Sequence, residues 1–186
     1  MSGTKVILLN GASSSGKTTL ARALQRTLEE PFLHFSSDQL LAAGVLPAVD
    51  RTVTTGPWAW LSIRPRFFDG FHRATGALAA AGNSLIVEHV IEFQSWYDDL
   101  QEILADCDVF YVAVECPLAE LERRERERGD RLIGEGRSHL QDGVHTWGPY
   151  DLRIDTSLST AEDHARRIQR AFHERKPPGA FRTRRT

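Results

Sequence analysis

Apolar residues along the chain follow two patterns: short uninterrupted runs, and longer segments in which they recur at helical spacing. The runs predict strands that are buried on both faces, because no polar residues alternate with the apolar ones. Five such strands are predicted, at residues 5–10, 32–35, 84–88, 107–116 and 150–155. Because helical segments separate them, we expect a five-stranded parallel sheet covered by helices on both faces, a three-layer α/β sandwich.

Between the strands, amphipathic spacing predicts helices at 19–28, 66–81, 93–104 and 117–128, and a last helix that ends near residue 174. Residues 44–65 follow neither pattern and contain several prolines and glycines, so a long loop is expected there. Loops of that length inside a compact domain are usually functional.

The segment between the first strand and the first helix matches G-x-x-x-x-G-K-[ST], the phosphate-binding loop (Walker A motif) of P-loop NTPases. The residues predicted to bind the nucleotide here are Gly11, Ala12, Ser13, Ser14, Ser15, Gly16, Lys17, Thr18 and Thr19. The glycines let amide N–H groups approach a phosphate closely, and a helix N-terminus favours an anion. Lys17 is expected to reach the β- and γ-phosphates, and the Thr18 hydroxyl to bind Mg²⁺. The chain is therefore predicted to bind a nucleoside triphosphate with Mg²⁺.

Ligands of parallel sheets bind beyond the carboxyl ends of the strands. Asp38 follows the second strand, where its carboxylate could take a proton from an acceptor hydroxyl or only cap the next helix. Glu88 ends the third strand and is expected to hold Mg²⁺ through water. His89 beside it either binds substrate or fills a structural role.

An arginine-rich helix precedes a glycine-punctuated segment, residues 129–149, which is the predicted lid. Arg124 and Arg128 share one face of the helix because they are four residues apart. Arg128 and Arg131 flank the expected hinge and are predicted to neutralise charge on the transferring phosphate. Arg123 is instead expected to pair with neighbouring glutamates on a solvated face. A lid that closes would exclude water, which otherwise hydrolyses the nucleotide.

Trp58 and Trp60 lie in the long loop, where they either line the pocket of a planar or partly apolar substrate or only pin the loop to the core. Cys107 and Cys116 lie at the two ends of one predicted strand, roughly 30 Å apart, so free thiols are expected. The tail from residue 176 is basic and rich in proline and glycine, and is expected to be flexible.

Composition narrows the choice of partners. The chain has 186 residues, 41% of them hydrophobic, and a formal net charge of −2, which suits one soluble domain and gives no reason to expect nucleic acid or a membrane as partner. No apolar run approaches the ~20 residues of a membrane span. The start of the chain leaves no room for a signal peptide, so a cytoplasmic protein is expected.

Together these residues resemble the chloramphenicol phosphotransferase family of P-loop kinases. Besides the phosphate loop, the segments that carry the resemblance are 31–35, 37–38, 61–67, 128–131, 144–145, 150–151 and 155–156. The resemblance implies transfer of the γ-phosphate of ATP, with Mg²⁺, to a hydroxyl of a small molecule. It also implies Asp38 as general base and Arg128 and Arg131 as lid arginines, and Arg124 matches a nucleotide-binding position.

The family's pattern has paired acids after the third strand, where this chain has Glu88 and His89, and the long loop with its two tryptophans also differs. Both departures lie where the acceptor would bind, so the sequence does not predict which molecule is the acceptor. The alternatives are a small-metabolite or nucleoside kinase of the same fold, and a nucleotide-dependent switch without an acceptor. A third alternative, a role in nucleic-acid processing, is suggested only by the basic tail.

Overall fold

The computed structural model describes residues 3–46, 53–128 and 133–181. In these residues the strands are β1 (Lys5–Asn10), β2 (Leu33–Ser36), β3 (Leu85–His89), β4 (Asp108–Glu115) and β5 (Leu152–Asp155). They form one parallel sheet in the order β2-β3-β1-β4-β5. The predicted five-stranded parallel sheet is confirmed, with strand ends within two residues of those expected.

Helices cover both faces of this sheet. Their bounds are α1 (Lys17–Thr27), α2 (Ser37–Ala42), α3 (Trp60–Ala80), α4 (Gln94–Ile103), α5 (Leu118–Arg128), α6 (Glu135–Gln141) and α7 (Ala161–Glu174). In β1, Val6 and Leu8 pack with residues of α3 and α4, whereas Ile7 and Leu9 pack with residues of α1 and α7. Successive side chains of a strand point to opposite faces, so an entirely apolar strand supplies both cores.

Helix α3 begins at Trp60, six residues earlier than expected, and Pro65 lies inside it. The Trp60 ring packs on Phe67 and Phe68 at centroid distances of 6.0 and 6.3 Å, so the apolar stripe of the helix extends to its first turn. Pro65 lies in the second turn of the helix, where its missing N–H removes the hydrogen bond to the carbonyl of Leu61. The long loop is correspondingly shorter, and residues 47–52 of it lie outside the described part of the chain.

The tail differs from the flexible segment expected from residue 176. Phe181 is buried and packs edge-on against Tyr97 and Tyr111. The Ala180 amide donates a hydrogen bond of 2.6 Å to Asp151. Burial of one aromatic ring thus docks the tail as far as residue 181, and the basic residues beyond it lie outside the described range.

Both cysteines are free thiols, as predicted. Across residues 3–46, 53–128 and 133–181, none of the helices has the combination of length and apolar character that a bilayer crossing requires. The predicted lid region contains helix α6, which begins after Gly134.

Candidate active site

The phosphate loop connects β1 to α1 in a shape that needs its glycines. A Cβ on Gly11 would lie 2.2 Å from the Val114 carbonyl oxygen, and Gly16 has a φ of 94° at the N-terminus of α1. The Lys17 ammonium donates hydrogen bonds of 2.8 and 2.7 Å to the carbonyls of Gly11 and Ala12. The lysine therefore curls back over the loop, with its charge where a phosphate chain would lie.

Thr18 and Glu88 come together next to this loop. The Thr18 hydroxyl donates a hydrogen bond of 2.9 Å to Glu88 Oε2, and only 5% of Glu88 is exposed. Oxygen ligands suit Mg²⁺, which usually takes one or two protein oxygens and completes its shell with phosphates and water. Among the described residues, no cluster of three or more His, Cys, Asp or Glu could hold a metal by itself. Thr18 and Glu88 supply two neighbouring oxygen donors, which fits an Mg²⁺ that is shared with a nucleotide.

Asp38 lies in the first turn of α2. The N-cap of this helix is Ser36, whose hydroxyl accepts from the Gln39 amide at 3.2 Å while the Gln39 side chain accepts from the Ser36 N–H at 3.0 Å. This capping box shows that Ser36, and not Asp38, caps the helix. Asp38 lines the main cavity.

One cavity of about 570 Å³ gathers most of the predicted site residues. Those that line it are Ser13, Ser14, Gly16, Lys17, Thr18, Thr19, Asp38, Trp60, Glu88, His89, Arg124 and Arg128. Gly11, Ala12 and Ser15 are buried in the loop beneath. Trp58 is 65% exposed and does not line the cavity, so the structure does not bring it to the site. Arg131 lies outside the described residues.

The part of the cavity lined by α3 and by the segment after β3 includes residues that were not predicted from the sequence. Arg64 of α3 pairs with Glu92, which follows β3, and both side chains are less than one fifth exposed. The Arg64 guanidinium lies 5.1–5.7 Å from the ring centroids of Phe68, Phe93 and Trp96. Contact with aromatic faces and a carboxylate fixes this arginine in the cavity wall.

His89 is 2% exposed and has protein partners on both ring nitrogens. Its Nδ1 accepts from the Val90 N–H at 2.9 Å, so Nε2 carries the proton and donates to His72 Nε2 at 2.7 Å. Burial lowers the pKa of His89 well below its usual value, and the nearby His72, Lys17 and Arg64 lower it further. Burial lowers the pKa of His72 to about 4. Both rings are therefore neutral near pH 7, and His89 serves as part of the wall.

Arg124 ties the end of β5 to the phosphate loop. Its guanidinium donates to the hydroxyl and carbonyl of Thr156 at 2.9 and 3.1 Å, and to Glu120 at 2.8 Å. The Thr156 hydroxyl in turn donates to the Ser15 carbonyl at 2.7 Å. Arg123 pairs with two glutamates on the exposed face of α5, as predicted.

Helix α6 lies directly against the phosphate loop. The Ser13 amide donates to His139 Nδ1 at 3.1 Å, and the Ser13 hydroxyl donates to Glu135 at 3.0 Å. Buried Glu125 of α5 accepts the amides of Gly134 and Gly136 at 2.9 and 2.7 Å. Burial lowers the pKa of His139. Because the Ser13 N–H donates to Nδ1, the ring proton lies on Nε2. The N-terminus of α6 is thus held by one carboxylate and docked on the loop by two side chains.

The model of the family described as "Chloramphenicol phosphotransferase-like protein" matches residues 4–173. A Mycobacterium tuberculosis (strain H37Rv) protein named "Putative O-phosphotransferase Rv2636" is 31% identical over 194 residues, which cover 95% of this chain and 86% of that protein.

Two solved kinase structures share the fold. The Mycobacterium tuberculosis APS kinase CysC, in complex with AMPPNP and APS, has a TM-score of 0.65 at 18% identity and covers 94% of this chain and 100% of its own. A sugar kinase from Janibacter sp. HTCC2649 has a TM-score of 0.66 at 18% identity, with 91% and 95% covered. The chain therefore has the fold of P-loop kinases.

Proposed function

Because the chain belongs to the chloramphenicol phosphotransferase-like family, we propose that it is an ATP-dependent phosphotransferase that moves the γ-phosphate to a hydroxyl of a small molecule. One observation carries the proposal: Lys17 and Thr18 of the phosphate loop line the same cavity as Asp38. A carboxylate beside a phosphate loop gives an acceptor hydroxyl a base, which a nucleotide-dependent switch would not need.

Each residue has a chemical role in this reaction. The loop amides and Lys17 hold the β- and γ-phosphates, while Thr18 and Glu88 would hold Mg²⁺, which would neutralise phosphate charge when bound. Asp38 takes the proton of the acceptor hydroxyl. The oxygen of that hydroxyl bonds to the γ-phosphorus, the bond between the γ-phosphorus and the bridging β-phosphate oxygen breaks, and ADP leaves. Arg128, which lines the cavity, stabilises the charge that develops on the transferring group, and we assign the same role to Arg131.

The part of the cavity lined by α3 and by the segment after β3 is the acceptor side in this proposal. Its residues favour a neutral, partly apolar alcohol as the acceptor. Trp60 and Phe68 supply apolar surface, and Arg64 is already paired with Glu92. An anionic acceptor would have to displace Glu92 from Arg64, and it would also meet the charge of Asp38. Chloramphenicol-like antibiotics fit this chemical class, and carboxylated or phosphorylated metabolites do not.

A panel of acceptors tests the proposal. Neutral aryl alcohols including chloramphenicol, nucleosides, neutral sugars and sugar acids are incubated with the protein, ATP and Mg²⁺. The amount of ADP formed is measured, and the amount of free phosphate is subtracted to correct for hydrolysis of ATP by water. The phosphorylated products are identified by mass spectrometry. We expect a phosphorylated neutral alcohol. ADP with an equal amount of free phosphate, and no phosphorylated acceptor, would support the switch instead.

Substitution of the base tests its role with the acceptor found. Asp38→Asn is expected to keep ATP binding and to lower turnover by about 10²–10⁴-fold. Asp98→Asn, at an exposed position on α4, is the matched control and should leave turnover unchanged. Unaltered turnover of Asp38→Asn would exclude Asp38 as the base.

A further inference from the structure

The carboxylate of Glu88 is held from two sides. Thr18 donates a hydrogen bond to Oε2, and the His34 imidazole bonds to Oε1 through its Nε2. His34 comes from β2, the edge strand beside β3, and its side chain is only 7% exposed. His34 lies in the segment 31–35 that carries part of the family resemblance, but the resemblance implies no role for it.

The hydrogen bonds around His34 determine which nitrogen carries its proton. Gln39 accepts from the Ser36 amide through Oε1, so its Nε2 is the donor, and this group bonds to His34 Nδ1 at 3.1 Å. Because Nδ1 accepts this bond, the proton of the neutral ring lies on Nε2 and is donated to Glu88. These hydrogen bonds form a chain, called the relay below, that runs from the cap of α2 through Gln39, His34 and Glu88 to Thr18.

We propose that His34 is a positioning residue, which holds the Glu88 carboxylate in the orientation needed to bind Mg²⁺ beside Thr18. The inference rests on the proposed function, in which Glu88 helps to hold the metal. Hydrogen bonds to ligating carboxylates fix their orientation, and their loss typically weakens metal binding by 10–100-fold.

The same relay connects the metal ligand to the proposed base. Gln39 bonds to His34 through its side chain and closes the capping box with Ser36, and Asp38 lies between these two residues in the first turn of α2. The relay therefore places Glu88 and Asp38 relative to one another through hydrogen bonds rather than through packing alone.

The experiment measures metal binding directly. Mn²⁺, a spectroscopic substitute for Mg²⁺, is titrated into the ADP complex and followed by electron paramagnetic resonance. ADP binding with EDTA present is measured in parallel by calorimetry. His34→Phe keeps the ring volume and removes the donor, whereas His34→Gln keeps an N–H near the position of Nε2. His173→Phe, at an exposed position of α7, is the control.

We expect His34→Phe to weaken Mn²⁺ binding by about 10–100-fold and to leave metal-free ADP binding unchanged. His34→Gln should recover most of the affinity. In the Glu88→Gln background, His34→Phe should cause no further loss, because the relay acts through the carboxylate. A role in folding alone would lower stability without this specific effect on the metal.

Two outcomes separate the failure of the relay from the failure of the metal role that the proposed function gives to Glu88. If Glu88→Gln weakens Mn²⁺ binding and His34→Phe does not, the role of His34 is overturned and the kinase proposal is left intact. Glu88→Gln with full Mn²⁺ affinity would overturn the metal role of Glu88 and this inference with it. If His34→Phe does not fold, Gln39→Met removes the anchor of the ring, and unchanged Mn²⁺ affinity in that variant would refute the relay.

Discussion

The buried pair of His72 and His89 should make the stability of the protein depend on pH. Burial lowers the pKa of His72 from 6.5 to about 4, against the opposing charges of Asp99 and Asp69. As pH falls from 6.5 toward about 4, His72 is protonated in the unfolded chain but stays neutral in the folded protein. The contribution is therefore fully present above pH 6.5 and is lost as pH falls toward about 4. The full loss corresponds to about 3 kcal/mol of unfolding free energy.

Urea unfolding between pH 7.5 and 4.5 measures this contribution. His72→Gln keeps an oxygen that can accept from His89 and removes the titrating ring. The decline of the unfolding free energy below pH 6.5 should be shallower in the variant, by up to about 1.4 kcal/mol per pH unit. His173→Gln, at an exposed position, should follow the unmodified protein. Parallel curves for His72→Gln and the unmodified protein would refute the assignment of a buried neutral imidazole.

Three further predictions concern the loop, the docked helix and the tail. Gly11→Ala would place a methyl group 2.2 Å from the Val114 carbonyl; we expect a large loss of nucleotide affinity in calorimetry, and wild-type affinity would contradict the geometry. Glu125→Ala leaves the amides of Gly134 and Gly136 without their acceptor, so hydrogen exchange at these amides should accelerate by one to two orders of magnitude, about 1–3 kcal/mol. Phe181→Ala should lower the unfolding free energy by about 3 kcal/mol in urea titrations, whereas no change would show that the docked tail adds nothing to stability.

Local patterns predicted much of this fold. The strand β1 is apolar at every position from Val6 to Leu9, and a strand of that kind can only lie between two layers of helices. The phosphate loop is defined by residues that are consecutive in the chain, so its position followed from its motif. Helix α3 was predicted too short because a proline normally ends a helical pattern, whereas the packing of Trp60 on Phe67 and Phe68, about two turns further along, favours the longer helix.

The remaining parts of the site depend on residues far apart in the chain. His34 meets Glu88 because β2 and β3 are neighbours in the sheet, and 54 positions separate the two residues. Arg64 meets Glu92 through the packing of α3 beside the end of β3, and 28 positions separate them. His34 and Arg64 lie in segments that carry the family resemblance. A sequence nevertheless shows only which residues are charged or polar, and not which of them the topology brings together. Docking of Phe181 was missed for the same reason.

The two sides of the cavity are contributed by different parts of the chain. The phosphate side is built by β1, α1 and the end of β5, which Arg124 and Thr156 connect. The apolar and paired residues of the other side come from α3 and the segment after β3, as Arg64 and Glu92 illustrate. Under the proposed function, mutations in α3 and in the segment after β3 would alter which alcohol is accepted while phosphoryl transfer is preserved. Substrate preference should accordingly diverge faster than reaction chemistry among descendants of one ancestral gene.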